Sequence, residues 1–178
     1  MTVGADRSPA VRSVRVDHVG VAVRDPEAVA ALLCDLFGLE VEHRESNEEQ
    51  GVVEVVLRVP GAPPDTTGVQ LVAPLWQGSP VGRFLDRRGP GLHHLALTVA
   101  DVDVAVSELH RRGVRVLTDG PRPGTAGSRI TFIHPQDAGG VLVELVEPDP
   151  GGRPTRNRPD DPRAGSPASA EGFPSVPG

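Results

Sequence analysis

The sequence predicts an α+β fold in which two tandem βαβββ modules form a curved mixed-sheet cup. Strand, helix and three further strands occur in the same order twice along the chain. Each copy opens with a strand that carries a histidine, His18 or His94, and closes with a strand that carries a polar residue, Gln70 or Glu144. His18 and Gln70 are 52 residues apart, and His94 and Glu144 are 50 apart. This shared spacing indicates duplication of one unit.

The first module is predicted to span residues 14–76. Its opening strand, VRVDHVGVAV, is rich in β-branched residues. Asp25 as N-cap, Pro26 in the first turn and Gly38 after the last turn predict a helix over residues 26–37. LEVEHRES, VVEVVLRVP and GVQLVAP then follow as three strands.

The second module is predicted to span residues 92–148, after a linker helix over residues 79–89. LHHLALTVA is its first strand, and Asp101 and Gly113 delimit its helix. VRVLTD (114–119), SRITFIHP and VLVELVEP are predicted to be its three remaining strands.

Both ends of the chain are predicted to lie outside this folded body. Residues 1–13 are interpreted as a flexible N-terminus. From residue 149 to 178 the chain is rich in Pro, Gly, Ser and charge, and offers little apolar surface to bury. A disordered tail is therefore expected there.

Composition excludes several classes of partner. The net charge of −6 disfavours general binding to nucleic acid or anionic membranes. With four Phe, one Trp and no Tyr, the chain lacks base-stacking platforms. The chain has no apolar run of about eighteen residues, so no membrane span is predicted. A single cysteine fits a reducing compartment, and a cytoplasmic location is expected.

Strand alternation places small residues on the same face as each predicted histidine ligand. Gly20 shares the face of His18, and Ala96 shares the face of His94. These small neighbours are expected to leave open space in front of each imidazole. His93 is expected to point to the opposite face and to be structural.

The four matched residues form a candidate metal site. An unpaired Glu144 carboxylate in the apolar segment VLVELVE would cost several kcal/mol, and a divalent cation would compensate it. His18, Gln70, His94 and Glu144 supply two imidazoles, an amide oxygen and a carboxylate. Such a set suits Co, Mn, Ni, Zn or Fe, with two octahedral positions left for substrate. The alternative is two core histidines, a surface Gln70 and a Glu144 paired with arginine, but the matched positions in both repeats favour the metal site.

Two further features leave alternatives open. Glu54 interrupts the apolar strand VVEVVL, so it is either a partly desolvated general base or a solvated outward residue. The Gly- and Pro-rich segment 120–132 either binds an anionic ligand or is a long hairpin connection. In the first case Ser128 and Arg129 are candidate substrate-binding residues, with Arg122 as another counter-charge.

These motifs resemble those of a known family. VDHVGVAV, NEEQGVVEVVL, SPVGRFLDRRGPGLHHLAL, PRPGTAGSRITFIHP and GGVLVELVE resemble the vicinal oxygen chelate superfamily and, within it, the methylmalonyl-CoA epimerase family. The resemblance covers residues from about 16 to 147.

The resemblance implies an acyl-CoA substrate whose C2 centre is inverted between 2R and 2S forms through a metal-stabilised enolate. It assigns the metal ligands to His18, Gln70, His94 and Glu144, and catalytic roles to Glu54 and Glu144. Co²⁺ is the favoured ion, with Mn²⁺, Ni²⁺ or Zn²⁺ as other possibilities. It also implies a homodimer.

Three alternatives follow from the same residues. Ala73 and Gln136 depart from the family pattern, which leaves an epimerase or isomerase of a related 2-substituted malonyl thioester open. A glyoxalase-like lyase is a second alternative, although such sites usually carry glutamate where Gln70 stands. A metal-free binding protein on the same fold is a third.

Overall fold

The computed structural model describes residues 8–151. Most of the predicted flexible N-terminus and of the predicted disordered tail lies outside these described residues. None of the helices between residues 8 and 151 combines the length and apolar character that a bilayer crossing demands.

The described residues form eight strands and three helices, which confirms the α+β class. The strands are β1 (Ser13–Ala22), β2 (Glu40–Asn47), β3 (Val52–Arg58), β4 (Gly68–Pro74), β5 (Gly91–Val99), β6 (Arg122–Pro123), β7 (Arg129–Ile133) and β8 (Leu142–Glu147). The helices are α1 (Pro26–Phe37), α2 (Pro80–Arg88) and α3 (Val102–Arg111).

Helix boundaries follow the predicted capping residues. The Asp25 carboxylate accepts from the amide of Ala28 at 2.9 Å, and the Asp101 carboxylate accepts from Val104 at 2.9 Å. Gly38 ends α1 in the left-handed conformation, with φ of 65°. These residues satisfy backbone groups that a helix terminus leaves unpaired.

All eight strands join one mixed sheet in the order β2-β3-β4-β1-β5-β8-β7-β6. β1 and β5 pair antiparallel at its centre. On either side β1 pairs in parallel with β4, and β5 pairs in parallel with β8. The two halves of the sheet, from β1 outwards and from β5 outwards, therefore have matching strand arrangements.

One predicted strand, VRVLTD (114–119), is wrong. The segment forms only an isolated bridge between Val116 and Ile133. The amide of Arg115 donates to the side chain of Asp137 at 2.9 Å and not to a neighbouring strand, so the ladder does not continue there. The edge strand of this half is instead the two-residue β6.

α1 and α3 cover one side of the sheet, and α2 lies against part of the other, concave side. α1 packs on an apolar cluster that includes Val55, Leu57 and Leu71, and α3 packs on another that includes Val99 and Leu145. α2 instead packs its Val81 and Leu85 against Ala22, Val52 and Val72. The concave side therefore carries α2 and, beside it, side chains that line a cavity.

Candidate metal centre

Three predicted ligands from both halves of the sheet converge on the concave side. His18 lies on β1, His94 on β5 and Glu144 on β8. The Nε2 atoms of the two histidines are 3.1 Å apart. Glu144 Oε2 lies 3.3 Å from His18 Nε2 and 3.1 Å from His94 Nε2. All three side chains are buried.

Small residues at the β1–β5 junction allow this approach. His94 pairs with Gly20 across the two strands, and His18 pairs with Ala96. A Cβ atom on Gly20 would lie 2.1 Å from Cε1 of His94. The space at Gly20 is therefore not an open hollow in front of His18, as the sequence suggested, because the imidazole of the other half fills it.

The donor set fits a divalent metal ion. Donor atoms bound at about 2.1 Å lie ~3.0 Å apart at right angles and ~3.4 Å apart in a tetrahedron. The three observed separations of 3.1, 3.1 and 3.3 Å fall in this range. Two imidazole nitrogens and a carboxylate oxygen are ligands that Zn, Co, Mn, Ni and Fe accept.

The three groups also stabilise one another's charge. Burial would raise the pKa of Glu144, but the hydrogen bonds and charges of His18 and His94 outweigh it and lower that pKa to about 2. Burial would lower the pKa of His18, but its bonds to Asp17 and Glu144 raise it to about 9. A buried anion thus faces two imidazoles, and a metal ion has to displace protons to bind there.

Gln70, the fourth predicted ligand, lies beside this cluster on β4 and is buried. Its Nε2 donates to Thr125 Oγ1 at 3.2 Å. Since the amide nitrogen is held by Thr125, the amide oxygen is the atom suited to a metal. Gln70 and Glu144 both line a cavity of about 320 Å³.

Glu54 is buried on β3, with 3% of its surface exposed, and is not a solvated outward residue. Burial raises its pKa to about 7. The hydroxyl of Thr125 donates to its carboxylate and opposes this rise, whereas the charges of Glu144 and Glu45 add to it. Glu54 lines a small cavity together with Gln70, His94 and Glu144.

Thr125 is a site residue that the sequence did not identify. It opens a 3-10 turn, Thr125–Gly127, in the segment between β6 and β7. Ser128, a predicted substrate-binding residue, donates its hydroxyl to the Thr125 carbonyl at 2.8 Å and lines the larger cavity. The amide of Ala126 donates to Glu45 on β2 at 3.0 Å. The segment thereby reaches from the second half of the sheet to the first.

Arg129, the other predicted substrate-binding residue, is not brought to the site. Its guanidinium pairs with Asp103 at 2.6 Å and with Glu147 at 3.2 Å, beside α3. Alternation along β7 turns Ile130 and Phe132 towards the concave side and Arg129 away from it. Arg122 likewise pairs elsewhere, with Glu49 at 3.7 Å.

The expected orientation of His93 is wrong. A register shift between β1 and β5 leaves His93 without a partner opposite it, so alternation fails at this residue. His93 Nδ1 lies 3.0 Å from His94 Nδ1, and its ring lines the same small cavity as Glu54. Burial and the neighbouring His94 lower the pKa of His93 to about 4.

Comparison with protein families agrees with this fold and site. Residues 17–132 match the glyoxalase/bleomycin resistance protein/dioxygenase superfamily. The chain belongs to this superfamily. The superfamily and the His18–His94–Glu144 cluster together support a divalent metal ion as cofactor.

Particular relatives are methylmalonyl-CoA epimerases. The chain is 37% identical over 135 residues to the ethylmalonyl-CoA/methylmalonyl-CoA epimerase of Cereibacter sphaeroides, which covers 75% of this chain and 97% of that protein. It is 34% identical over 134 residues to the human mitochondrial methylmalonyl-CoA epimerase, covering 75% of this chain and 73% of that protein.

Solved structures of methylmalonyl-CoA epimerases are also similar to this chain. The crystal structure of methylmalonyl-CoA epimerase from Mycobacterium tuberculosis is 44% identical, with a TM-score of 0.74, and covers 82% of this chain and 95% of that one. A variant of the Streptomyces coelicolor enzyme in complex with 2-nitronate-propionyl-CoA is 43% identical, with a TM-score of 0.75, and covers 80% and 100%.

The contact between Gly20 and His94 gives a direct test of the site geometry. A Gly20→Ala variant places a methyl group where the His94 ring lies, so the ring has to leave. We expect zinc affinity, measured by competition with a chelating dye, to fall by roughly tenfold or more. Gly120→Ala is the matched control, because a Cβ there meets nothing within 4 Å. Equal affinity in Gly20→Ala and wild type would contradict this packing.

Proposed function

We propose that the chain is a metal-dependent epimerase that inverts C2 of methylmalonyl-CoA. The observation that carries this proposal is the position of Glu54. Its buried carboxylate has a near-neutral pKa and lines the same cavity as Gln70, His94 and Glu144. A base beside a cluster of metal ligands suits proton removal next to a carbonyl group.

Metal binding is assigned to His18, Gln70, His94 and Glu144. Among the ions that this set accepts we favour Co²⁺, with Mn²⁺, Ni²⁺ or Zn²⁺ as other possibilities. The ion, when bound, supplies positive charge for a thioester oxygen on which negative charge develops. The ligand side chains hold that charge at a fixed place because Gly20 and Ala96 let the two imidazoles meet.

Glu54 is the proposed base for one face of the C2 centre. A pKa of about 7 lets it accept a proton and return it at neutral pH. The Thr125 hydroxyl holds the carboxylate in place by donating to it. Inversion also requires proton transfer at the opposite face, and Glu144 is the candidate there. Because its pKa is about 2, Glu144 is the weaker base, so we expect Glu54 to set the pH dependence.

An acyl-CoA thioester is the proposed substrate. The Streptomyces coelicolor relative has been solved with 2-nitronate-propionyl-CoA, and another solved relative with methylmalonyl-CoA. The cavity of about 320 Å³ beside His18, Gln70 and Glu144 gives an acyl group access to the metal centre. Homodimer formation, the cytoplasmic location and the module boundaries remain predictions from the sequence.

Ethylmalonyl-CoA is a second candidate substrate. The Cereibacter sphaeroides relative, at 37% identity, is named for both the ethyl and the methyl compound. A glyoxalase-like lyase is disfavoured, because Gln70 supplies an amide rather than a second carboxylate.

Solvent exchange at C2 tests the proposed activity. Metal-loaded protein in D₂O is expected to replace the C2 hydrogen of methylmalonyl-CoA with deuterium, measured by mass spectrometry. Glu54→Gln should slow this exchange by about 10²-fold or more, because it removes the base. Glu40→Gln, an exposed glutamate of β2, is the matched control.

The outcome also separates the alternatives. Exchange that occurs with ethylmalonyl-CoA alone would change the substrate but keep the chemistry. Turnover of the methylglyoxal–thiol adduct without C2 exchange would replace the epimerase by a lyase. No exchange by metal-loaded wild-type protein with either thioester would contradict the proposal.

A second prediction concerns the bond between Thr125 and Glu54. Thr125→Val removes a hydrogen bond that lowers the pKa of Glu54, so that pKa should rise further. Glu54 has to be ionised to accept a proton, so the loss of kcat/KM on acidification should begin roughly one pH unit higher than in wild type. Thr125→Ser keeps the hydroxyl and should keep the wild-type profile. A profile unchanged in Thr125→Val would show that the bond does not control Glu54.

A further inference from the structure

We propose that His93 is a positioning residue that holds His94 in the tautomer needed for metal binding, as Asp17 does for His18. This inference rests on the metal site of the proposed function. It assigns roles to two residues, each of which directly precedes a proposed histidine ligand in the sequence.

A β-bulge lies at each of these two residues. In the pairing of β1 with β5, Val16 faces Leu97 and His18 faces Ala96, so Asp17 is the extra residue on β1. Further along, Gly20 faces His94 and Val21 faces Leu92, so His93 is the extra residue on β5. A bulge interrupts strict alternation and re-aims the side chain next to it. Each bulged residue can therefore contact the histidine that follows it.

Each bulged side chain contacts the Nδ1 atom of its neighbour. Asp17 Oδ1 lies 3.1 Å from His18 Nδ1, and His93 Nδ1 lies 3.0 Å from His94 Nδ1. The Nε2 atoms of both ligand histidines face Glu144. Every ligand ring thus has one nitrogen at the metal centre and the other on a bulged residue. The second nitrogen decides which tautomer is present.

Asp17 can hold His18 in only one tautomer. A carboxylate accepts but does not donate, so Nδ1 of His18 keeps its proton, and Nε2 offers its lone pair once the metal ion displaces the proton there. Asp17 is itself fixed by Arg15 at 2.7 Å and by the hydroxyl of Thr98 at 2.7 Å. This arrangement is a carboxylate–histidine pair of the kind that orients metal ligands.

His93 needs a defined tautomer of its own to act in the same way. An imidazole whose proton lies on Nε2 can accept at Nδ1 from the Nδ1–H group of His94, which leaves Nε2 of His94 for the ion. The opposite assignment would place a proton on Nε2 of His94 and block the ligand position. The ring of His93 is held by an edge contact with Phe84 of α2, with 4.9 Å between ring centroids. The linker helix thus supports the metal centre through His93.

Metal affinity of His93 variants tests this role. His93→Leu removes the acceptor, and we expect zinc affinity to fall by about 10–100-fold. His93→Asn offers an amide oxygen near the original Nδ1 position and should recover most of that loss. His110→Asn, at an exposed histidine of α3, is the control and should bind like wild type. Equal loss in His93→Asn and His93→Leu would indicate a packing role and overturn the proposal.

A spectroscopic measurement on the unmodified chain covers the case in which a variant does not fold. Long-range ¹⁵N–¹H spectra of the zinc-loaded protein should show the proton on Nε2 of His93 and on Nδ1 of both His18 and His94. A proton on Nδ1 of His93 would overturn the inference. Failure of the wild-type protein to bind zinc would instead contradict the metal site itself. Wild-type zinc affinity in His93→Leu would leave that site intact and refute the role of His93.

Discussion

The meeting of one buried carboxylate with two imidazoles at the β1–β5 seam is the constraint on which the site depends. Removing one partner of a buried charged pair costs about 3–5 kcal/mol, because the other charge is left without compensation. Glu144 therefore requires both His18 and His94 at their observed positions. That requirement fixes the register of the two central strands, since only a residue without a side chain fits beneath the ring of His94.

The same low-polarity interior gives two carboxylates opposite properties. Glu144 faces imidazoles and has a pKa of about 2, which suits a permanently ionised ligand. Glu54 has no cation bonded to it in the part of the chain that the structure describes, and its pKa of about 7 suits a base. Environments that push the pKa values of neighbouring acids apart are how proteins divide ligand and acid–base roles. Thr125 links these roles, because its hydroxyl contacts both Glu54 and Gln70.

Much of the fold and the metal cluster could be predicted because their signals are local or repeated. The capping residues Asp25 and Asp101 predicted where two helices begin. The similar separation of a histidine from a polar residue in the two halves of the sequence predicted that His18, His94 and Glu144 share one site. These three side chains are buried and close together because their strands pair. The repeated order of elements in the sequence indicates that pairing. The prediction of an edge strand at 114–119 was wrong because its apolar pattern does not reveal that the side chain of Asp137 accepts from the amide of Arg115.

The remaining site features arise from register and long-range contacts. Asp17 and His93 reach their neighbours through bulges, and alternation alone assigns such residues to the wrong face. Thr125 contacts Glu54 from 71 positions away, which no spacing rule indicates. Arg129 was predicted to bind substrate because it lies in the Gly- and Pro-rich segment, but alternation along β7 turns its side chain towards Asp103 and Glu147.

Anomalous X-ray diffraction from crystals grown with Co²⁺ can locate the ion relative to His18, His94 and Glu144. We expect one strong cobalt peak per chain, within bonding distance of Nε2 of His18, Nε2 of His94 and a carboxylate oxygen of Glu144. A cobalt peak bound elsewhere, or a centre ligated by residues of only one half of the sheet, would contradict this expectation.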